Sequence, residues 1–345
     1  MIIRDVMPAF ELYQPTRLAD AFALLDRFGK DAWKMAGGYD SLSWFKERIK
    51  RPKAVIDLSG IAVLKGIRES ADGIEIGALT TLTELAGSPV IKAKYRVLAD
   101  AATKVASPQI RNQGTLGGNA SQDARCLYYR YGLPCYRAGG NTCFADTPEG
   151  VNREHALFDV DRCVAVSPSD TAPALVALDA KFVLRSSKGE RVIGPEEFFI
   201  GPNVDITRMT STKPEEILVA MRVPATFANA YFYFETVADR NAWDFPLVNV
   251  AAAISVKNGT IESARVACGG VSCVPRRLTA VEQIVKGKPM GEDIAKLAGQ
   301  SATRGAKPLN FNGFKITDVT DGSSNTAMMS ESLLGDGPEL SLIHI

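Results

Sequence analysis

Six cysteines occur in the 345-residue chain, and four of them are gathered in one stretch with the spacing Cys126-x8-Cys135-x7-Cys143-x19-Cys163. Structural zinc usually uses at least one closely spaced Cys pair, and this stretch has none. Four thiolates on a long irregular segment can also surround an iron–sulfur cluster, whose ligands need not be closely spaced. On spacing alone a cluster, zinc and free thiols all stay open. Disulfides of the secreted type are disfavoured, because the opening MIIRDVMPAFELYQPT breaks its short apolar start with charges and lacks a signal-peptide core. Cys268 and Cys273, in ACGGVSC, stand apart. Cys268 alternates with a strand pattern and reads as a small buried hydrophobe, while Cys273 is ambiguous. His155 is the one histidine outside the closing SLIHI. With a lone histidine a Ser-His-Asp or zinc–histidine hydrolase is hard to build, and a hydrogen-bonded loop histidine is the expected role.

Two glycine-bearing stretches could hold a ligand. The first is Met35-Ala36-Gly37-Gly38-Tyr39-Asp40-Ser41-Leu42, directly after a short apolar segment. Adjacent glycines admit positive φ and let backbone N–H groups approach a phosphate unhindered. This is not the GxGxxG fingerprint, so it gives no support to a Rossmann domain, and alone it reads first as a tight turn. The second runs from Ser107 to Asn119 and places Gly114, Gly117 and Gly118 within five residues, among Asn and Thr side chains suited to ribityl or phosphate oxygens. Two such stretches in one α/β region favour a bound phosphate-containing cofactor.

Lys and Arg total 40 against 39 Asp and Glu, a formal net charge of +1. A phosphate-backbone binder needs a basic excess, so no nucleic-acid partner is expected. Hydrophobic residues at 46% and charged residues at 23% match a soluble globular protein able to bury a core. No apolar run approaches the roughly 20 residues that span a bilayer. Direct membrane insertion is therefore not expected, and the cytoplasm is the expected compartment.

These residues need elements to position them. At about 150 residues per domain the length suggests two domains or three. Thr16 is placed to cap an amphipathic helix from Arg17 to about Phe28, and Thr81-Leu82-Thr83-Glu84 reads as a capping box. Ala54 to Leu58, Ile74 to Leu79, Lys181 to Arg185 and Ile217 to Val223 read as strands, and Tyr95 to Ala106 as a helix. From Ser107 to about Asp170 periodicity fades, and so long an irregular stretch usually has a function. Beyond residues 224–230, Asn249–Val256 and Ile261–Ala267 flank Asn258-Gly259 as a type I′ hairpin. Helical patterns follow at Thr279–Val285 and Gly291–Ala302.

AGGYDSL, SPQIRNQGTLGGN and SPSDTAPALVALDA together resemble the FAD-binding subunit of molybdenum hydroxylases, the xanthine dehydrogenase, aldehyde oxidoreductase and carbon monoxide dehydrogenase family. The insertion from Arg125 to Cys163 is similar to the branch with an additional 4Fe–4S cluster, as in 4-hydroxybenzoyl-CoA reductase and the bacterial periplasmic aldehyde oxidoreductase. The resemblance implies an α+β fold. A two-part FAD-binding domain of the PCMH or vanillyl-alcohol-oxidase type would span 1–226 with an iron–sulfur loop over 120–165. A smaller α+β domain of the CO dehydrogenase flavoprotein C-terminal type would span 227–315. It further implies that Lys34 to Leu42 wrap the FAD pyrophosphate, and that Thr115, Gly118, Asn119 and Asp123 hold the cofactor's second side. Asp170 and Leu218 would lie near the flavin, and Cys126, Cys135, Cys143 and Cys163 would bind the cluster.

No side chain here need act as acid or base on the organic substrate, since such cofactors carry the chemistry. A molybdopterin-binding large subunit and a 2Fe–2S small subunit are the implied partners, with which transport to the periplasm is open. A stand-alone flavin oxidase of the same fold and a non-catalytic metal-stabilised binding module are the alternatives. Two departures from the family pattern stand out. Thr236 occupies the place of a lysine that contacts FAD in many relatives, so a changed contact near the flavin is expected. The resemblance stops near Lys315, and residues 316–345 read as a disordered or chimeric tail.

Overall fold

The computed structural model describes residues 7–307 and residue 309, so the tail at 316–345 lies outside the described residues. Three strands open the chain: β1 (Glu11–Tyr13), β2 (Ala32–Met35) and β3 (Ala54–Asp57). They form a parallel sheet in the order β1-β3-β2. Parallel neighbours need crossover connections, which helices Leu18–Phe28 and Tyr39–Lys46 supply. The first helix buries Ala21, Phe22 and Leu25 against Ile56 and Leu58. Its cap differs from expectation: Arg17, not Thr16, is the capping position and makes no side-chain cap bond. Thr16 lies one residue too early, and Arg17 instead binds Asp20 through Nε at 2.9 Å and Nη2 at 2.8 Å.

A five-stranded antiparallel sheet follows, ordered β4-β5-β8-β6-β7. Its strands are β4 (Ile67–Ser70), β5 (Gly73–Gly77), β6 (Lys181–Ser186), β7 (Gly189–Ile193) and β8 (Ile217–Pro224). Because β5 pairs with β8, everything between residues 78 and 180 is thrown out of the sheet as one long excursion. The excursion begins with helix Leu82–Gly87, opened by the expected capping box: Thr81 Oγ1 accepts from Glu84 N while Glu84 accepts from Thr81 N. Helix Arg96–Lys104 buries Val97, Leu98 and Ala101 in a second, larger core shared with Leu82, Leu85 and Ile76 of β5. From Ser107 to Asp170 regular structure shrinks to helices of four or five residues and one 3-10 turn.

The last sheet is antiparallel in the order β12-β11-β10-β9, built from β9 (Tyr231–Val237), β10 (Val248–Lys257), β11 (Thr260–Gly269) and β12 (Arg276–Arg277). Asn258 and Gly259 join β10 to β11 with φ of 52° and 73°, the two positive values a type I′ turn requires. Strand β10 is buried on both faces. Val250, Ala252 and Ile254 meet helices Thr279–Val285 and Glu292–Ala302, while Ala251 and Ala253 face the large core of the preceding unit. Leu157 and Phe158, from the cysteine-bearing excursion, also enter the core beneath β10 and β11. Both donate their N–H to Val271 O, at 2.8 and 3.1 Å. Among the described residues no helix is long and apolar enough to cross a membrane.

Candidate cofactor sites

A cleft of about 310 Å3 opens between the first sheet, the glycine-rich excursion and β8. Five of the sequence-expected residues line it: Lys34, Ala36, Gly118, Asp123 and Leu218. Gly37 explains how two distant glycine stretches become one wall. A Cβ there would stand 2.4 Å from Gln113 O and 3.1 Å from Gly114 Cα, so only glycine permits this approach. Met35 ends β2, and Tyr39, Asp40, Ser41 and Leu42 make the first turn of helix Tyr39–Lys46, capped at Gly38 with φ +83° and no side-chain cap bond. That leaves backbone N–H donors and the positive end of the helix dipole for an anion. The side chains here tie the helix down. Ser41 Oγ accepts from Trp33 Nε1 at 2.9 Å, Tyr39 Oη donates to Gln109 O at 3.3 Å, and Asp40 accepts from Gln122 Nε2 at 2.8 Å. Burial pushes the Asp40 pKa up.

Lys34 does not point freely into the cleft. Its Nζ donates to Glu216 O at 2.8 Å, Lys213 O at 3.0 Å and Pro214 O at 3.3 Å, and burial brings its pKa down to about 8. Glu216 fixes that turn by accepting from Arg191 at 2.7 and 2.8 Å and from Lys213 N at 2.8 Å. Met35 and residues 37–42 flank the cleft without lining it, and three further expected residues outside the lining serve the frame. Thr115 caps helix Leu116–Ala120 by accepting from Gly118 N at 3.0 Å. Buried Asn119 accepts from Ser169 Oγ at 2.7 Å and from Thr171 Oγ1 and N at 2.5 and 3.2 Å, joining the glycine loop to helix Thr171–Ala177. Asp170 is buried and accepts from Asn249 Nδ2 at 3.3 Å; burial raises its pKa to about 7. Thr236, on β9 opposite Asn249, also stands outside the cleft lining. Sequence reasoning missed Trp33 on β2, and also Lys50 and the stretch Thr207–Thr210, which close the cleft from irregular segments with no periodic signal.

Cys126, Cys135, Cys143 and Cys163 line one recess next to this cleft, together with Tyr128, Tyr129, Arg137 and Phe144. Cys135 packs against Trp44, Phe45, Val55 and Tyr129, and Cys163 beside Ala124, Ala165 and Met209. Burial pushes the Cys126 thiol up to about 12. The expected hydrogen-bonded role of His155 is met here: its Nε2 lies 3.3 Å from Cys126 Sγ. Cys268 is buried in the last sheet's core as expected, whereas Cys273 reaches back to the cysteine segment and donates to Ala165 O at 2.7 Å. Among the described residues no three or more His, Cys, Asp or Glu side chains converge on a point where a single metal ion would sit. The recess does bring four thiols around one shared space, the donor type that iron–sulfur clusters use. One buried polar atom adds to this fit: Arg137 Nε has no hydrogen-bond partner among the described residues, although the residue is only 5% exposed.

Comparison with known proteins gives a consistent picture. Residues 8–226 match the family model for the FAD binding domain in molybdopterin dehydrogenase, and residues 233–314 match the CO dehydrogenase flavoprotein C-terminal domain. The aldehyde oxidoreductase FAD-binding subunit PaoB of Escherichia coli K12 is 35% identical over 287 residues, 82% of this chain and 86% of that protein. The carbon monoxide dehydrogenase medium chain of Hydrogenophaga pseudoflava is 28% identical over 304 residues, 88% of this chain and 89% of that one. A solved structure of the Hydrogenophaga pseudoflava carbon monoxide dehydrogenase, lacking the Mo-pyranopterin moiety of its cofactor, superposes with a TM-score of 0.72 at 27% identity, covering 95% of this chain and 96% of that one.

Proposed function

Since the chain belongs to the FAD-binding medium subunits of the xanthine dehydrogenase and carbon monoxide dehydrogenase family, we propose that it is the electron-transfer subunit of a molybdenum hydroxylase, assembled with a molybdopterin-binding large subunit and a 2Fe–2S small subunit. When bound, FAD and a 4Fe–4S cluster would supply the redox chemistry, relaying electrons between the partner's 2Fe–2S clusters and an external acceptor or donor. We assign residues 1–226 to the flavin-binding unit and 227–315 to the C-terminal unit, and place the complex in the cytoplasm unless a partner carries it across the membrane.

In this reading Gly37, Gly38 and the uncapped turn Tyr39–Leu42 offer backbone donors to the pyrophosphate. Gly118 leaves room for the cofactor beside Ala36, and Leu218 contributes an apolar wall. Lys34, Lys50 and Arg208 outnumber Asp123 among the charges of the cleft, which favours a dianionic guest. Cys126, Cys135, Cys143 and Cys163 would hold the cluster. The observation that carries the flavin assignment is the meeting of the two glycine stretches at one cleft: Gly37 abuts Gln113, and the neighbouring Ala36 and Gly118 both line the cleft. Anaerobic purification of the complex, with assays for FAD, iron and acid-labile sulfide, tests both assignments. FAD with equal iron and sulfide supports them; FAD without iron would sink the cluster, and a colourless chain would sink both.

A further inference from the structure

Between the cleft and the cysteine recess runs a buried string of charges. Arg137 lines the recess and Asp123 lines the cleft, and the two form an ion pair in which the Arg137 side chain is 2% exposed and that of Asp123 is 13% exposed. Arg137 Nη1 also donates to Ile206 O at 2.7 Å. On the cleft side Lys50 Nζ reaches Asp123 Oδ2 at 2.9 Å. The Tyr129 ring, a wall of the recess, has Lys50 Nζ at 5.5 Å and Arg137 Cζ at 5.3 Å from its centroid. Burial works against the Asp123 carboxylate, but Arg137 and Lys50 outweigh it and hold its pKa below the ordinary value. The string is therefore charged along its length.

Arg137 spends its two Nη groups on Asp123 and Ile206 and keeps Nε–H, which lacks a partner among the described residues. Leaving such a donor buried and unpaired is costly, more so on a charged group. The acceptor it lacks is what the thiols would bring: an iron–sulfur core held by four thiolates is a net anion rich in sulfur acceptors. We propose that Arg137 is the coupling residue between the two cofactors: it hydrogen-bonds the cluster through Nε and, through Asp123, ties the charge of the recess to that of the cleft. The proposal rests on the cluster reading above. Its consequence is that the two reduction potentials are set jointly, because a charge change on one side acts on the other across a dry ion pair and not through solvent.

The test is a redox titration of the purified holo-complex, with the cluster followed by EPR and the flavin by absorbance, beside iron and FAD contents. Arg137→Gln removes the positive charge and the Nε donor, so both midpoint potentials should fall, the cluster's further than the flavin's. Arg137→Lys keeps the charge without the fork and should lower the cluster's potential less while leaving the flavin's near wild type. Asp123→Asn removes the intervening anion and should move both potentials upward. A fall confined to the cluster in Arg137→Gln would overturn the coupling, as would unmoved potentials. Loss of iron from both Arg137 variants, with the wild type fully loaded, would also overturn it by making Arg137 a scaffold only. A wild-type complex with FAD and no iron would instead defeat the cluster reading itself, and the coupling with it.

Discussion

The cleft is framed on three sides by regular elements, β2, helix Leu116–Ala120 and the start of β8, and is closed by irregular chain at Lys50 and Thr207–Thr210. The cysteine recess beside it has only the one-turn helices Leu127–Arg130 and Tyr136–Ala138, and otherwise turns. What holds the recess is anchorage from outside. Cys135 leans on the core of the first sheet, Leu157 and Phe158 plug the core of the last, and Arg137 is locked by Asp123. The difference teaches that the cleft is shaped by backbone and exists before its guest, whereas the recess is a set of donors pinned at its edges. Disturbing the cleft should therefore change fit, and disturbing the recess should change content.

Gly37→Ala attacks the cleft where backbone meets backbone. Gln113 O cannot move aside as a side-chain tip could, so the two glycine stretches must part. Overpacking of this kind costs about 1–3 kcal/mol, which taken wholly from binding is roughly a 5- to 150-fold weaker hold on FAD. Equilibrium dialysis or the flavin-to-protein ratio checks it, with iron content expected to stay at the wild-type level. Equal loss of iron would erase the contrast between the two sites. The converse is Cys135→Ser, which should abolish most of the bound iron and leave FAD in place. Simultaneous loss of FAD would show that the recess supports the cleft structurally.

How these sites could be read from sequence follows the same division. Gly37 and Gly38 announce the cleft's edge because a backbone contact at the one and a φ of +83° at the other leave no room for another residue. The capping box at Thr81–Glu84 and the Asn258-Gly259 turn were equally plain, since each is a local rule satisfied by local residues. Short strands β1, β4 and β7 gave no such signal: β4 and β7 are partly exposed strands of four and five residues whose partners lie elsewhere in the chain. The closure of the cleft by Thr207–Thr210 and the pairing of Asp123 with Arg137 depend on irregular chain, where nothing periodic records who meets whom. A clue to Arg137 was available in its place two residues after Cys135 within a set of spaced thiols.

Asp170 separates framework from cofactor contact more gently. Its folded pKa of about 7 stands above the ordinary 3.8 because of burial, so the folded chain binds this proton more tightly than the unfolded one. The stability so gained is fully present below about pH 4 and lost as pH rises through 7. Asp170→Asn, which keeps an oxygen for Asn249 Nδ2, should raise Tm by a few degrees at about pH 8 and by almost nothing at about pH 4. Thermal unfolding at the two pH values decides it. An unchanged Tm at both would show that Asp170 is ionised at no cost, and a change in FAD content would return it to the cofactor's surroundings.

The smallest effect is expected where the cysteine segment is tied down at the surface. Arg153 grips Asp239, just beyond β9, with Nη1–Oδ2 at 2.6 Å and Nη2–Oδ1 at 2.7 Å, a bidentate pair like those found in interiors. Its side chains are 41% and 51% exposed, however, so water and salt compete for both charges. Asp239→Asn should cost no more than about 1 kcal/mol, with the difference from wild type shrinking as ionic strength rises. Chemical denaturation at low and high salt measures it, and iron content should not change. The buried pair Asp123–Arg137 has the same chemical partners, yet breaking it strands a charge where water cannot reach, at a cost of about 3–5 kcal/mol. If Asp239→Asn released iron as readily as Cys135→Ser, the recess would depend on its surface clasp as much as on its interior anchors, and the contrast between a preformed cleft and a pinned recess would have to be redrawn around Arg153.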